Sequence, residues 1–325
     1  MLAPDAAAIK RLAVLGAGRW GRNCIATVQS LPGVRLIALY STNPDSRRLV
    51  DDGVAIDDDW RRLIDRFDGE GIIVATPPEY HAEMVERAAR RSLAVMVEKP
   101  LTMNLKEALG LERALADTGV PILVDHVHLF NPAYQKLKEL AAGLGPYRRI
   151  ESQGGETGGR QTSTSSLWDF GAHDISLALD LLGPGAELTS AKRFTANGGE
   201  IFELVLGFPS ATRADIVIGN GLAAKRRWFA AYFDEDVLVF DDLAANHLVR
   251  HARASLKDGA LGGAQGPGEA VAVEATPPLS VAIQTFATGI GGGVRDGFGL
   301  GLGVAVVRVL SDVEALLASA PGARG

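Results

Sequence analysis

"LAVLGAGRWG", Leu12 to Gly21, carries an apolar strand into a glycine loop, and the helical pattern "RNCIATVQSL" follows directly. Gly16, Gly18 and Gly21 stand in GxGxxG spacing. Taken alone, that spacing is a weak signal. Between a strand and a helix each glycine gains a distinct purpose, with a tight turn at Gly16, close approach of backbone to a pyrophosphate at Gly18, and close helix packing at Gly21. The helix N-terminus would then offer free N–H groups and a positive dipole end to the phosphates. The competing reading is a purely structural glycine turn.

The surroundings favour the dinucleotide. Short aliphatic runs, "RLAVLG", "VRLIALY", "GIIVAT", "LAVMVE" and "PILVDH", alternate with longer amphipathic stretches such as "PEYHAEMVERAARR" and "NLKEALGLERALADTG". Uninterrupted apolar strands separated by helices predict a doubly wound parallel α/β sheet, covered on both faces, over residues 1–124. From Tyr147 the pattern changes: "ELTSAKRFT", "EIFELVLGF", "TRADIVIG", "RRWFAAYFD", "DVLVFDD" and "EAVAVEA" follow one another with turns between. These predict a second, α+β domain over 125–325 with a large, mainly antiparallel sheet. A terminal helix is expected at about 302–318, packing back toward the domain junction, from the spacing of Val304, Val307, Leu310, Val313 and Leu316. The Gly-rich stretch over 252–269 is read as a loop without an assigned role.

Composition narrows the partners. In a chain of 325 residues, 47% hydrophobic and 22% charged, two ordinary cores are expected. The net charge of -6, with lysine and arginine scattered, argues against nucleic acid and anionic membrane. The single cysteine, Cys24, is read as a small buried residue in a reducing compartment. No signal peptide or apolar membrane span is read, so the cytoplasm is the expected location. Cys and His do not suggest a ligand set, and no metal is expected.

Two further segments carry chemistry. "LAVMVEKPLTMN" ends a strand on Glu98, Lys99 and Pro100, and ligands of doubly wound sheets sit outside such strand ends. The bland alternative for Lys99 is a solvated lysine. "SLWDFGAHDISLALDLLG", Ser166 to Gly183, begins like a loop and continues like a buried helix, yet places Asp169 and His173 one turn apart at its head. Histidine has a pKa near neutrality suited to moving a proton, and Asp169 shares its face. Asp169 also reads as a helix cap, His173 as a buried structural histidine, and Asp174 as solvated or a structural partner.

Glycine loop, "EKP" and "DFGAH" together resemble the Gfo/Idh/MocA family of NAD(P)-dependent oxidoreductases, as do "ATPPEYHAEM", "HLFNPAYQKLKEL" and "FDDL". The resemblance implies a Rossmann domain followed by a substrate-binding sheet domain, with Lys99, Asp169 and His173 as the catalytic set. It also implies a Lys99–Pro100 bond that is often cis. The cofactor-binding candidates are Gly16, Gly18, Arg19, Trp20 and Gly21 from the loop, Ala75, Thr76, Pro77 and His81 from "ATPPEYHAEM", and Glu98. Ser41, Thr42 and Asn43 complete them, where many relatives carry an acidic residue in place of Ser41. Hydroxyls at that position do not repel a 2′-phosphate, so NAD(P) is expected with a weak preference for NADP. His128 and Arg160 are substrate-binding candidates, with His126 beside them. Ser176 stands where many members have a second aspartate. The implied activity is hydride transfer between nicotinamide and a secondary alcohol or ketone of a sugar, sugar nucleotide or polyol, in a homodimer or homotetramer. The alternatives are an NAD-dependent glycoside hydrolase of the same fold and a non-catalytic dinucleotide-binding sensor.

Overall fold

The apolar runs of the first third form one parallel sheet. In the computed structural model, which describes residues 9–159, 164–255, 268–292 and 299–319, its strands are β1 (Lys10–Leu15), β2 (Val34–Tyr40), β3 (Ala55–Asp57), β4 (Gly71–Val74), β5 (Ala94–Glu98) and β6 (Ile122–Asp125). Their order is β3-β2-β1-β4-β5-β6, that of a Rossmann sheet. β1 pairs in parallel with both β2 and β4, so the connection reverses direction at β1 and leaves a crevice beyond the carboxyl ends of β1 and β4. Every residue of β4 and β5 is buried, as a strand covered by helices on both faces requires.

Helices α1 (Arg19–Ser30), α2 (Trp60–Arg66), α3 (His81–Arg90) and α4 (Leu105–Leu115) connect the strands. Two of their starts are marked by short polar side chains. Asp59 accepts from the backbone N–H groups of Arg61 and Arg62, and Asn104 accepts from that of Glu107. α1 and α3 start without a side-chain cap, α3 at Tyr80 and α1 at Gly18, and no acid stands in the first turn of α1.

The chain divides into two compact units, Met1–Asp125 with Leu279–Val304, and His126–Pro278 with Ala305–Gly325. The return of 279–304 to the first unit has no counterpart in a linear reading of the chain. It rests on α7 (Pro278–Gly289), whose fully buried Phe286 lies where a Cβ on Gly71 would meet it at 2.9 Å.

In the second unit, after α5 (Pro132–Ala141), the strands are β7 (Arg149–Gly155), β8 (Glu187–Ala196), β9 (Gly199–Gly207), β10 (Arg213–Gly219), β11 (Arg226–Tyr232), β12 (Asp236–Asp241), β13 (Leu248–Ala252) and β14 (Glu269–Ala270). They form one sheet in the order β14-β13-β12-β11-β7-β10-β9-β8. All neighbours are antiparallel except β7 and β10. The helix α6 (Ser166–Leu182) and the β8–β9 hairpin lie between these two in sequence, which lets β10 return alongside β7 in the same direction. The strand expected over "EAVAVEA" shrinks to Glu269–Ala270, and the terminal helix is α8 (Leu300–Ser319).

The core of this unit is aromatic. Buried Tyr134 packs edge-on against Phe229 at 6.1 Å, and its hydroxyl donates to Asp180 at 2.7 Å. Rings of this kind contribute roughly 1.5–3 kcal/mol each when fully buried. Asn131 begins α5 by accepting from the Ala133 N–H, and its amide donates to Asp242 of "FDDL" at 2.9 Å. Two of the motif pieces are thus parts of one joint. Asp215, in the alternating piece Ala214–Ile218, is buried and answered by Arg149 and Arg213 at 2.9 and 2.7 Å.

Candidate active site

The glycine loop has the steric logic its sequence predicts. Gly16 adopts φ +107°, and a Cβ there would lie 2.6 Å from the Ala75 carbonyl oxygen; at Gly21 a Cβ would lie 2.1 Å from the Gly16 carbonyl oxygen. Around Gly18 a Cβ would meet nothing within 4 Å. Two glycines are therefore required by neighbouring backbone, while the third leaves its backbone open to whatever enters the crevice.

Gly16 and Gly18 line a cavity of about 470 Å³ at the carboxyl ends of β1, β2 and β4. Ser41, Thr42 and Asn43 line it after β2, and Ala75, Thr76 and Pro77 after β4. These residues fit a dinucleotide: the loop's uncapped helix N-terminus faces open space, and among the described residues no carboxylate lines the cavity. The Ser41 hydroxyl pairs with that of Ser46 at 2.7 Å and accepts from the Asn43 N–H at 3.2 Å. The Asn43 side chain accepts from the Asp45 N–H at 3.0 Å, so it shapes the turn after β2.

The cavity also holds residues that sequence reasoning did not find. Arg22, from the first turn and a half of α1, joins Ser41, Thr42 and Asn43 in the lining, whereas Arg19 does not. Trp60, Tyr40 and Tyr80 add aromatic walls, and Arg61 stacks on the Trp60 ring at 4.2 Å. Arg22 was legible in principle, since it lies three residues after Arg19 on the same helix face.

His81 does not face this cavity. It is fully buried, with Nδ1 2.9 Å from the Pro100 carbonyl oxygen and Nε2 2.9 Å from that of Thr76. Burial lowers its pKa, with those two carbonyls opposing. Its place is that of a positioning residue tying the β4 and β5 loops together, a correction to the expectation of direct cofactor contact. Trp20 is partly exposed at the start of α1.

Glu98 is likewise buried at the end of β5. The strand register sets it beside Asp125, the last residue of β6, with Cys24 Sγ 4.0 Å from its carboxylate. Burial pushes both carboxyls up, and the Asp125 charge raises Glu98 further; the charge of Lys99 and the Trp20 indole work the other way. Lys99 follows directly, and the Lys99–Pro100 peptide is cis.

In the second unit, α6 carries Asp169 in its first turn and His173 one turn later. Ser165 occupies the N-cap position and Asp169 donates its backbone N–H to the Ser165 carbonyl, so Asp169 lies inside the helix and does not cap it. His128 meets His173 edge to face at 4.7 Å between ring centroids. His126 is buried beside it in sequence. Ser176 is fully buried, its hydroxyl donating to the His173 carbonyl at 2.7 Å, which turns it away from any ligand.

Asp174 is neither solvated nor exposed. Its carboxylate sits over Gly154 of β7, where a Cβ would come within 2.2 Å of Oδ2. Burial pushes its pKa up to about 6, with the Ser152 hydroxyl and the Arg227 charge opposing. Arg160 lies outside the described residues, as does most of the Gly-rich stretch. Among the described residues no group of His, Cys, Asp and Glu gathers as a metal site, and no helix is long and apolar enough to cross a membrane. His247 and His251 do stand four apart, the spacing that pairs ligands on a helix. Here they lie in and beside β13, where four residues span about 13 Å.

Comparison with known proteins bears on the family and the fold. Residues 10–126 match the model of an oxidoreductase family with an NAD-binding Rossmann fold, GFO_IDH_MocA. A crystallised protein of Magnetospirillum magnetotacticum MS-1, assigned as an oxidoreductase, is 38% identical, with 93% of this chain and 98% of that one aligned at a TM-score of 0.82. The chain belongs to the Gfo/Idh/MocA family of oxidoreductases.

Other similar proteins share less of the sequence. The scyllo-inositol 2-dehydrogenase (NAD(+)) of Bacillus subtilis (strain 168) is 29% identical over 191 residues, 55% of either chain. The chain spans about half the length of the first curated relatives it matches. A 3-ketoreductase of Actinomadura kijaniata, solved with TDP-benzene and NADP, shares the fold at a TM-score of 0.76 over 94% of this chain and 97% of that one, at 17% identity.

Proposed function

We propose that this protein is an NAD(P)-dependent dehydrogenase or reductase acting on a secondary alcohol or ketone of a sugar, sugar nucleotide or polyol. The observation that carries the reading is the glycine-loop cavity, whose open backbone at Gly18 and acid-free wall suit a dinucleotide. Bound NAD(P) supplies the hydride acceptor or donor. The chain supplies the proton chemistry: His173 accepts the hydroxyl proton during oxidation and returns it during reduction. Asp169, one turn before it, orients the imidazole or a neighbouring hydroxyl, and Lys99 stabilises negative charge on the reacting oxygen. The names of the family relatives, an inositol dehydrogenase and a 3-ketoreductase, support the same substrate class.

The cofactor is read as NADP at least as readily as NAD. Ser41 and Thr42 present no carboxylate to a 2′-phosphate, and Arg22 offers a cation on the same wall. Fluorescence titration of the free protein with NADPH and NADH tests this, and a clear preference for NADH would overturn it. A homodimer or homotetramer is part of the proposal, to be measured by sedimentation.

The activity is tested by a spectrophotometric screen of sugars, polyols and sugar nucleotides with both cofactors. Wild type is compared with Lys99→Ala and His173→Ala. Turnover unchanged in both variants would overturn the site, and release of sugar without accumulated NAD(P)H would move the reading to a hydrolase.

A further inference from the structure

Arg227 lies on β11 directly opposite Gly154 of β7 in the strand register. Because Gly154 has no side chain, the Asp174 carboxylate settles over it, and Arg227 arrives beside that carboxylate. The guanidinium stacks over the Phe170 ring at 5.0 Å, on α6 one turn before Asp174. Among the described residues it donates only from Nη1, to the Arg226 carbonyl at 3.1 Å. His128, Asp174, Leu177 and Arg227 line one narrow crevice, and His128 is the residue packed against His173.

A planar guanidinium held on an aromatic face is shaped to receive an oxyanion through two parallel hydrogen bonds. A residue that served only to neutralise Asp174 would close on it as an ion pair. Arg149 and Arg213 of this sheet close on Asp215 as ion pairs, whereas none is present between Arg227 and Asp174 among the described residues. We propose that Arg227 holds an anionic group of the substrate, a carboxylate or a phosphate, and thereby selects charged sugars over neutral ones. This rests on the reading of His173 as the proton-handling residue.

The test is calorimetric titration of the full chain, without dinucleotide, using matched pairs of ligands. Galactose with galacturonate probes a carboxylate, and glucose with glucose 6-phosphate probes a phosphate. Wild type is expected to bind the anionic member of at least one pair about tenfold or more tightly than its neutral partner. Arg227→Ala removes that preference and leaves neutral binding within about twofold. Arg227→Lys keeps the charge but not the fork, and retains only part of the preference. Equal binding of neutral and anionic members by wild type overturns the proposal. So does equal loss for both members in Arg227→Ala, or full retention in Arg227→Lys, since a charge partner for Asp174 needs no fork. Tight binding and turnover of neutral members alone would sink the anion site while leaving the oxidoreductase reading standing. Failure of every sugar, charged or neutral, to bind would overturn the anion site and leave the oxidoreductase reading to the spectrophotometric screen.

Discussion

Two helices of this protein begin at candidate chemistry, and they are built in opposite ways. α1 starts on bare backbone: Gly18 caps it without a side chain, and Gly16 and Gly21 pass so close to neighbouring carbonyls that a single methyl would collide. α6 starts on side chains fixed from far along the chain. Trp168 donates to Glu314 of α8 at 2.7 Å, Gly171 makes room for Leu310 and Ile218, and Asp174 rests on Gly154. The first head needs only that side chains be absent. The second needs particular side chains to arrive from other strands and helices, which makes its chemistry more specific and its packing more exposed to distant substitutions.

The comparison breaks most sharply at His173. Replacing it with alanine is expected to lower kcat by about 10²–10⁴-fold, since a proton acceptor is lost. The melting temperature should change little, because His173 is only partly buried. Stopped-flow and steady-state rates measure the first part and calorimetry the second; a large loss of stability with intact turnover would make α6 merely structural. Gly21→Ala should do the reverse. Its Cβ would press on backbone at Gly16, so roughly 2–4 kcal/mol of stability should disappear in urea unfolding.

Asp174→Asn is the next effect in size, and it sets burial by packing against the local logic of α1. A carboxyl raised from 3.8 to about 6 in the folded state adds stability below pH 4 that is lost as pH rises toward 6. The wild-type protein should therefore lose on the order of 3 kcal/mol through this group between those limits, and the asparagine variant should lack that slope. Urea midpoints measured from pH 4 to pH 8 decide it. A parallel slope in both proteins would show that Asp174 is not the group responsible.

The smallest effect on stability is expected at Gly18→Ala. Nothing lies within 4 Å of the added Cβ, so unfolding should shift by less than about 0.5 kcal/mol. Affinity for NAD(P)H should nevertheless fall, because the methyl stands where the backbone would meet pyrophosphate. Comparison with Gly21→Ala separates a glycine needed for the fold from one needed for the ligand; equal losses of stability would erase the distinction.

Much of this was visible in the linear chain. The α/β first domain, the sheet-rich second domain, the glycine loop and the positions of Lys99, Asp169 and His173 at element ends follow from patterns within about twenty residues, and the family from the resemblance that these pieces carry together. What escaped was set by register and by return of distant segments. Strand pairing alone put Asp125 beside Glu98 and Arg227 beside Gly154. His81 reads as a ligand contact beside "ATPP", yet two carbonyls from separate loops enclose it. Asp174 reads as solvated or a structural partner next to His173, and a missing Cβ on another strand decides for the second by giving it a buried seat.

The sequence by itself determined where backbone must bend and where apolar faces must be hidden, because glycine sterics and hydrophobic periodicity act over a few residues and need no partner to be recognised. The tertiary structure decided which polar groups share a neighbourhood: the carboxyl pair at the ends of β5 and β6, Arg22 on the wall of the glycine-loop cavity, and Arg227 over Phe170. Charge and hydrogen bonding depend on separations of a few ångströms between residues far apart in sequence, and only the folded sheets set those separations.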